Sequence, residues 1–301
     1  MNNTPKSLWK VLSAICLVAG GLVIFGCSRD APPDRTIGRK PRIVSLAPSV
    51  TEILFVLGKG DSLIGVTDHC DYPPEANRIE RVGGFGTPSV ERLLTLTPDV
   101  VIAAGLERSE VADVLRRAGI GVLDVRIGNF HELFDAIRQI GEAVDAHEKA
   151  KDLITRMQGE LKALATRDSA TRPEQRPHVF VEIGSHPLMT AGGGSFLDDL
   201  VTRAGGVNVA HSVSQAYPVI SPEKVVEWNP DVIVVAEMGR AGLAATELSH
   251  RIGWADISAV KNRRIIDDIH PDLLFRPGPR LVEGVKALSA RLHDSPPQGK
   301  R

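Results

Sequence analysis

The sequence predicts an α/β protein made of two similar lobes, on three observations. A stretch running from Pro88-Ser89-Val90-Glu91 to Pro98-Asp99-Val100-Val101-Ile102 occurs again from Ile220-Ser221-Pro222-Glu223 to Pro230-Asp231-Val232-Ile233-Val234. Aliphatic strand segments alternate with segments of helical periodicity on both sides of the chain's middle. A long helical pattern over residues 146–165 lies between the two copies. A repeat that occurs only twice, far apart, excludes a solenoid and implies two lobes.

Each copy has the same physics. Ser89 and Ser221 suit the N-cap, where a side-chain oxygen accepts from free amides of the first turn. Pro222 suits the first helical position, where its missing N–H costs nothing. Glu91 and Glu223 fall in the first turn, at the positive end of the helix dipole. Pro98 and Pro230 forbid continuation of the helix. The aliphatic runs that follow read as strands buried on both faces.

A formal net charge of −1 and a hydrophobic fraction of 43% describe a globular chain without the basic excess of a nucleic-acid binder. Lys6 and Lys10 precede an apolar run over residues 11–26. This reads as a signal peptide rather than a membrane span. The run ends Ile24-Phe25-Gly26-Cys27, which resembles a bacterial lipobox. That resemblance implies removal of residues 1–26, lipidation of Cys27 and a tether over residues 27–41. Of the three cysteines, Cys16 leaves with the signal and Cys27 carries lipid, so Cys70 alone remains and no internal disulfide forms.

In the first lobe, residues 42–46 read as a strand broken by Pro48. Ser49-Val50-Thr51-Glu52 reads as a capping box, with Gly58 as the helix stop. A second strand follows over residues 63–66, then the loop from Thr67 to Ala76. Within it Asp68-His69-Cys70-Asp71 invites a metal reading, but four adjacent loop residues cannot all face one ion and no second ligand pair appears. After the first repeat copy, Val111, Val114 and Leu115 predict a helix, and Ile120, Val122 and Val125 a strand. Phe130, Leu133, Phe134, Ile137, Ile140 and Val144 predict a further helix.

The second lobe restarts at His178-Val179-Phe180-Val181-Glu182-Ile183. Gly192-Gly193-Gly194-Ser195 lacks the Lys-Ser/Thr ending of a phosphate loop and reads as a flexible turn before a helix over residues 197–204. Residues 281–292 predict the last helix, and 295–301 a disordered tail. No hydrolase elbow surrounds Ser185, and adjacency of His69 and Cys70 does not align a catalytic pair, so no enzyme is expected.

The ordered set Ser45-Leu46-Ala47-Pro48-Ser49-Val50-Thr51-Glu52, Asp71-Tyr72-Pro73-Pro74-Glu75-Ala76 and Ser89-Val90-Glu91 through Pro98-Asp99 resembles the cobalamin-type substrate-binding proteins of ABC importers. The wider group includes haem and ferric-siderophore binders. The resemblance implies two Rossmann-like lobes, over residues 42–145 and 177–294. One rigid helix, with its linker over residues 146–176, would join them, and a ligand cleft would lie between. It implies a corrinoid as ligand, with haem or a ferric siderophore as the alternative, and no resident cofactor or metal. It places His69, Phe85, Met189, Tyr217, Asp272 and Arg276 at the ligand, while Arg280 serves the following helix and Ala104 stands where the family has a third aromatic. Phe85 also fits a core aromatic beside a glycine turn, Met189 an ordinary gap filler, and Tyr217 a ring stacked on Pro218. The family disulfide is absent, its positions holding Ala204 and Ser289. Glu91 and Glu223 are implied to dock on the two subunits of a permease dimer. The protein itself would be a monomer, lipid-anchored at Cys27 on the periplasmic or other extracytoplasmic side of a bacterial membrane.

Overall fold

A computed structural model describes residues 39–105, 110–168, 173–236 and 244–293. The signal segment, Cys27, most of the tether and the tail over 295–301 lie outside the described residues. In the first lobe the chain runs β1 (Ile43–Ser45), α1 (Pro48–Val56), β2 (Leu63–Val66), a hairpin of β3 (Gly83–Gly84) and β4 (Thr87–Pro88), then α2 (Val90–Leu96). It continues through β5 (Val100–Ala104), α3 (Glu110–Arg117), β6 (Gly121–Val125) and α4 (Phe130–Ala143). The sheet order is β2-β1-β5-β6, all parallel, with Ile43 opposite Val100 and Val100 opposite Gly121.

Helix α5 (His147–Asp168) has 22 residues, about 33 Å at 1.5 Å per residue. Beyond it lie β7 (His178–Ser185), β8 (Leu188–Thr190), α6 (Phe196–Arg203), β9 (Val207–Asn208), α7 (Pro222–Trp228) and β10 (Val232–Val235). Then come α8 (Ala244–His250), α9 (Ser258–Lys261), β11 (Ile265–Ile266), α10 (Asp272–Phe275) and α11 (Leu281–His293). Strand β7 pairs in parallel with β9 on one side and β10 on the other, and β10 pairs in parallel with β11. The short β8 adds an antiparallel partner at the far end of β7. Leaving β8 aside, the order β9-β7-β10-β11 repeats β2-β1-β5-β6 strand for strand. The fold is therefore α/β with two pseudo-symmetric lobes.

The sequence repeat is a structural one down to single hydrogen bonds. Ser89 Oγ accepts from the Arg92 amide and Ser221 Oγ from the Lys224 amide, each at 3.3 Å. Both helices end on a left-handed residue just before the proline, Thr97 at φ 42° and Asn229 at φ 44°. The aspartate that follows ties two strands together at their start. Asp99 Oδ2 accepts the Arg42 amide at 2.7 Å, and Asp231 Oδ2 accepts the His178 amide at 2.9 Å. The Pro-Asp turn is thus a staple between the first and third strands of each sheet.

Two corrections concern local chemistry. The expected capping box does not form. Helix α1 starts at Pro48 with Ala47 in the cap position and no side-chain cap, so Ser49 and Glu52 lie inside it. Proline pre-organises the first helical residue, and the Glu52 carboxylate is taken by another partner. The glycine run is not merely flexible. A Cβ on Gly192 would meet Gln215 O at 2.1 Å, and one on Gly193 would meet His211 O at 2.0 Å. Glycine is required there because two backbone segments touch, with the Gly192 and Gly193 amides donating to Ala216 O and Val213 O.

Each sheet buries both faces. Val44, Val101 and Ala103 meet Leu93 and Leu115 on one face of the first sheet, and Phe180, Ile233 and Val235 meet Val225, Leu248 and Trp254 on one face of the second. The opposite faces share one continuous core. Ile43, Ile102, Val179 and Val234 belong to it, together with Leu153, Met157 and Leu161 of α5.

Candidate functional site

A cleft of about 840 Å³ opens between the lobes, bounded by residues of both. From the first lobe come Pro48 at the start of α1, His69 after β2, Phe85, and Ala104 to Gly105 after β5. The segment from Val125 to Gly128 after β6 completes that wall. From the second lobe come Phe196, Tyr217, Asp272 and the segment from Phe275 to Pro277. Strand ends and helix starts of α/β sheets commonly form such sites.

Phe85 sits at the tip of the β3–β4 hairpin and is 55% exposed. Gly86, with φ +80°, makes the turn. An aromatic ring held out in this way has no packing role in the core, so the core-aromatic alternative for Phe85 does not hold. Tyr217 is half-buried and meets Phe196 edge-on, with ring centroids 6.3 Å apart. Burial pushes its phenol up to about 12, so it stays a neutral hydrogen-bond donor at neutral pH.

The four residues considered as a metal cluster diverge. His69 is exposed and lines the cleft. Cys70 is fully buried, its Sγ 3.0 Å from Thr67 Oγ1. Asp71 reaches across to the second lobe. Arg81 fixes this loop by donating to Thr67 O at 2.7 Å and Cys70 O at 2.8 Å.

An ionic array joins the lobes beside the cleft. Arg276 donates to Asp71 at 2.5 and 3.3 Å, and its Nε lies 3.0 Å from Asp272 Oδ1. The Arg276 guanidinium hydrogen-bonds to Asp71 and holds that carboxyl below its ordinary value. Arg280 serves the following helix as expected through its carbonyl, which accepts the Glu283 and Gly284 amides at 2.9 and 3.2 Å, while its side chain turns to the first lobe. It forks onto Glu52 at 2.9 and 2.6 Å, and its guanidinium lies 3.6 Å from the centroid of Tyr72. Glu52 and Tyr72 belong to the first lobe and Arg280 to the second.

The structure brings His69, Phe85, Tyr217, Asp272 and Arg276 to one cleft. Met189 is elsewhere: it lies half-buried in β8, bridged to Val219, and is not among the cleft-lining residues. Ala104 does line the wall, with a methyl group and no ring at that position. Sequence reasoning missed Phe196, Phe275 and Arg126. Phe275 lies between Asp272 and Arg276, both expected at the ligand, and that proximity is the signal that could have found it. Glu132 faces the cleft too, but its carboxylate accepts the Gly128 amide at 2.6 Å while Asn129 caps α4. Arg126 is exposed and has no ion-pair or hydrogen-bond partner among the described residues.

Among the described residues that line the cleft, no nucleophile is paired with a base. The site is a mainly apolar cleft with aromatic edges and a few polar groups, the form of a ligand-binding site. The periplasmic binding protein family matches residues 43–271. The uncharacterized ABC transporter substrate-binding lipoprotein YvrC of Bacillus subtilis is 36% identical over 266 residues, covering 86% of this chain and 82% of that protein. A vitamin B12-binding protein of Vibrio cholerae is 31% identical over 253 residues, covering 83% and 88%. Among solved structures, the periplasmic heme-binding protein RhuT from Roseiflexus superposes with a TM-score of 0.75 at 28% identity, covering 85% and 99%. The chain belongs to the periplasmic binding protein family, a family of solute-binding proteins and not of enzymes.

Proposed function

We propose that this chain is the lipid-anchored substrate-binding protein of an ABC importer, with lobes over residues 42–145 and 177–294, and that it captures a corrinoid between them. The observation that carries this reading is the convergence of Phe85 from one lobe and Tyr217 from the other on a single apolar cleft of about 840 Å³. Such a slot suits a large flat ligand, gripped by aromatic contact and oriented by Asp272 and Arg276. The anchor at Cys27 would hold the protein on the extracytoplasmic face of a membrane. Among the described residues no helix is long and apolar enough to cross one.

Haem is the second reading, favoured by His69 at the cleft. Tyr217, also at the cleft, would be a second candidate for an axial iron ligand. A ferric siderophore, usually anionic, is the third reading; Arg276 already faces Asp71 and Asp272, which leaves Arg126 as the cation it would meet.

Visible-absorbance titration of the purified protein with cyanocobalamin, haemin and a ferric siderophore decides among these. Saturable binding of cyanocobalamin is expected. Haemin binding without corrinoid binding replaces the first reading by the second. Phe85→Ala and Tyr217→Ala should each weaken binding of the tetrapyrrole about two- to thirteenfold, from loss of about 0.5–1.5 kcal/mol of ring contact.

Delivery requires a partner, and the repeat supplies two equivalent acids. Glu91 and Glu223 are both exposed in the first turns of α2 and α7. The backbone amide of Glu223 and the Ser221 hydroxyl hold the Glu223 carboxyl below its ordinary value, so it is ionised. One acid per lobe matches a two-fold symmetric permease, and such charges set encounter and register. Glu91→Ala/Glu223→Ala is expected to retain wild-type ligand affinity and to lose most transport in vesicles carrying the permease. Undiminished transport by the double variant refutes the docking role.

A further inference from the structure

The charged groups of the cleft are unequal in one respect. Arg276 sits between two carboxylates, Asp71 and Asp272. Asp272 is answered by Arg276 at 3.0 Å, and Glu132 by the Gly128 amide at 2.6 Å. Arg126 alone among the charged lining residues has no partner among the described residues. In the open cleft water solvates it at no cost. The first-lobe side of the cleft is mainly apolar, with Ala47, Pro48, Phe85, Ala104 and Ile127, and its other ionisable groups are His69 and Glu132.

Ligand entry changes that balance. A flat ligand that fills the slot displaces water from the Arg126 guanidinium. If the ligand offers nothing in return, a cation is left desolvated and unpaired, which is costly. If it presents a carboxylate or phosphate there, the planar fork of Arg forms paired, charge-assisted hydrogen bonds. We infer that Arg126 selects macrocyclic ligands carrying an anionic substituent on the side facing the first lobe. The partnerless Arg126 on an apolar wall carries this inference, which rests on the tetrapyrrole-binding reading given above. The shared chemistry is the anion, which a haem-type ligand supplies as a carboxylate and a nucleotide-bearing corrinoid as a phosphodiester.

The test compares matched ligands on the full chain: haemin against its dimethyl ester, and cyanocobalamin against dicyanocobinamide, which lacks the phosphodiester. Dissociation constants are measured for wild type, Arg126→Gln and Arg126→Lys. For the pair that binds, Arg126→Gln is expected to reduce the preference for the anion-bearing member about ten- to a hundredfold, the scale of a charged hydrogen bond. Arg126→Lys should restore part of it, and raised salt should erode the wild-type preference. Which pair responds identifies the source of the anion. An unchanged preference in Arg126→Gln, with the wild type binding normally, overturns the selection role and leaves the tetrapyrrole reading standing. Equal weakening of both members also overturns it, since that marks a structural role. If the wild type binds neither pair, the tetrapyrrole reading fails and this inference fails with it.

Discussion

Replacing Glu52 by Ala should lower the free energy of unfolding by about 3–5 kcal/mol, the usual cost of breaking a buried ion pair from one side. Glu52 is 2% exposed and accepts two hydrogen bonds from Arg280, at 2.9 and 2.6 Å. Without it Arg280 keeps its charge and its place over Tyr72 but loses its counter-ion. Urea denaturation measures the loss, and a change below about 1 kcal/mol would place the pair among inert contacts. Glu52→Gln should fall between, since an amide still accepts one hydrogen bond. The same group sets a pH dependence. Burial pushes the Glu52 carboxyl above 4.5, against the opposing pull of the Arg280 hydrogen bond and charge. A raised carboxyl pKa means that the folded state binds the proton more tightly. Its contribution is then full below 4.5 and declines as pH rises through the folded value. Asp71 works in the other direction: its lowered pKa stabilises the fold above 3.8, and this is lost as pH falls further. Glu52→Gln should remove the first slope and leave the second.

Trp254→Ala is expected to cost about 3–5 kcal/mol, the range for deleting a large buried aromatic. The ring is fully buried, meets Phe180 edge-on at 6.1 Å and carries the Arg251 guanidinium 4.6 Å above it. Arg251 in turn forks onto the buried Glu182 at 2.6 and 2.8 Å. The substitution therefore opens a cavity and removes the platform that orients the Arg251 fork. None of these residues lines the cleft. Denaturant midpoints should drop while ligand affinity, measured well below the new midpoint, stays near wild type. Loss of affinity in parallel with stability would mean that this core supports the cleft after all.

Much of the fold was legible because its signals are local. Ser89 and Ser221, each with a glutamate two residues on and Pro-Asp behind, specify helix, turn and strand within a few residues. The capping box at Ser49 misled for a related reason. Ser-x-x-Glu fits two uses, and only the position of Arg280, far along the chain, decides that Glu52 is an ion-pair partner. Gly192 and Gly193 likewise looked flexible because the backbone that crowds them comes from residues 211–215. In the cleft, Phe85 and Tyr217 could be nominated through family resemblance, and the hairpin tip then gave Phe85 a physical reason. Phe196 and Arg126 carried no such signal. One opens an ordinary helix and the other ends an ordinary strand, and only the approach of the two lobes makes them neighbours of one cavity.

The apolar core shared by the two lobes bears on how the molecule comes apart. Ile43 and Ile102 of one sheet and Val179 and Val234 of the other are sealed in the same cluster by α5. Neither lobe can be released without exposing apolar surface to water, at roughly 25 cal/mol for each Å². A chain cut after α5 would leave Leu153, Met157 and Leu161 bare on one side. The two halves, alike in topology, are thus not two domains in the thermodynamic sense. They are expected to melt as a single cooperative unit, with one transition in calorimetry.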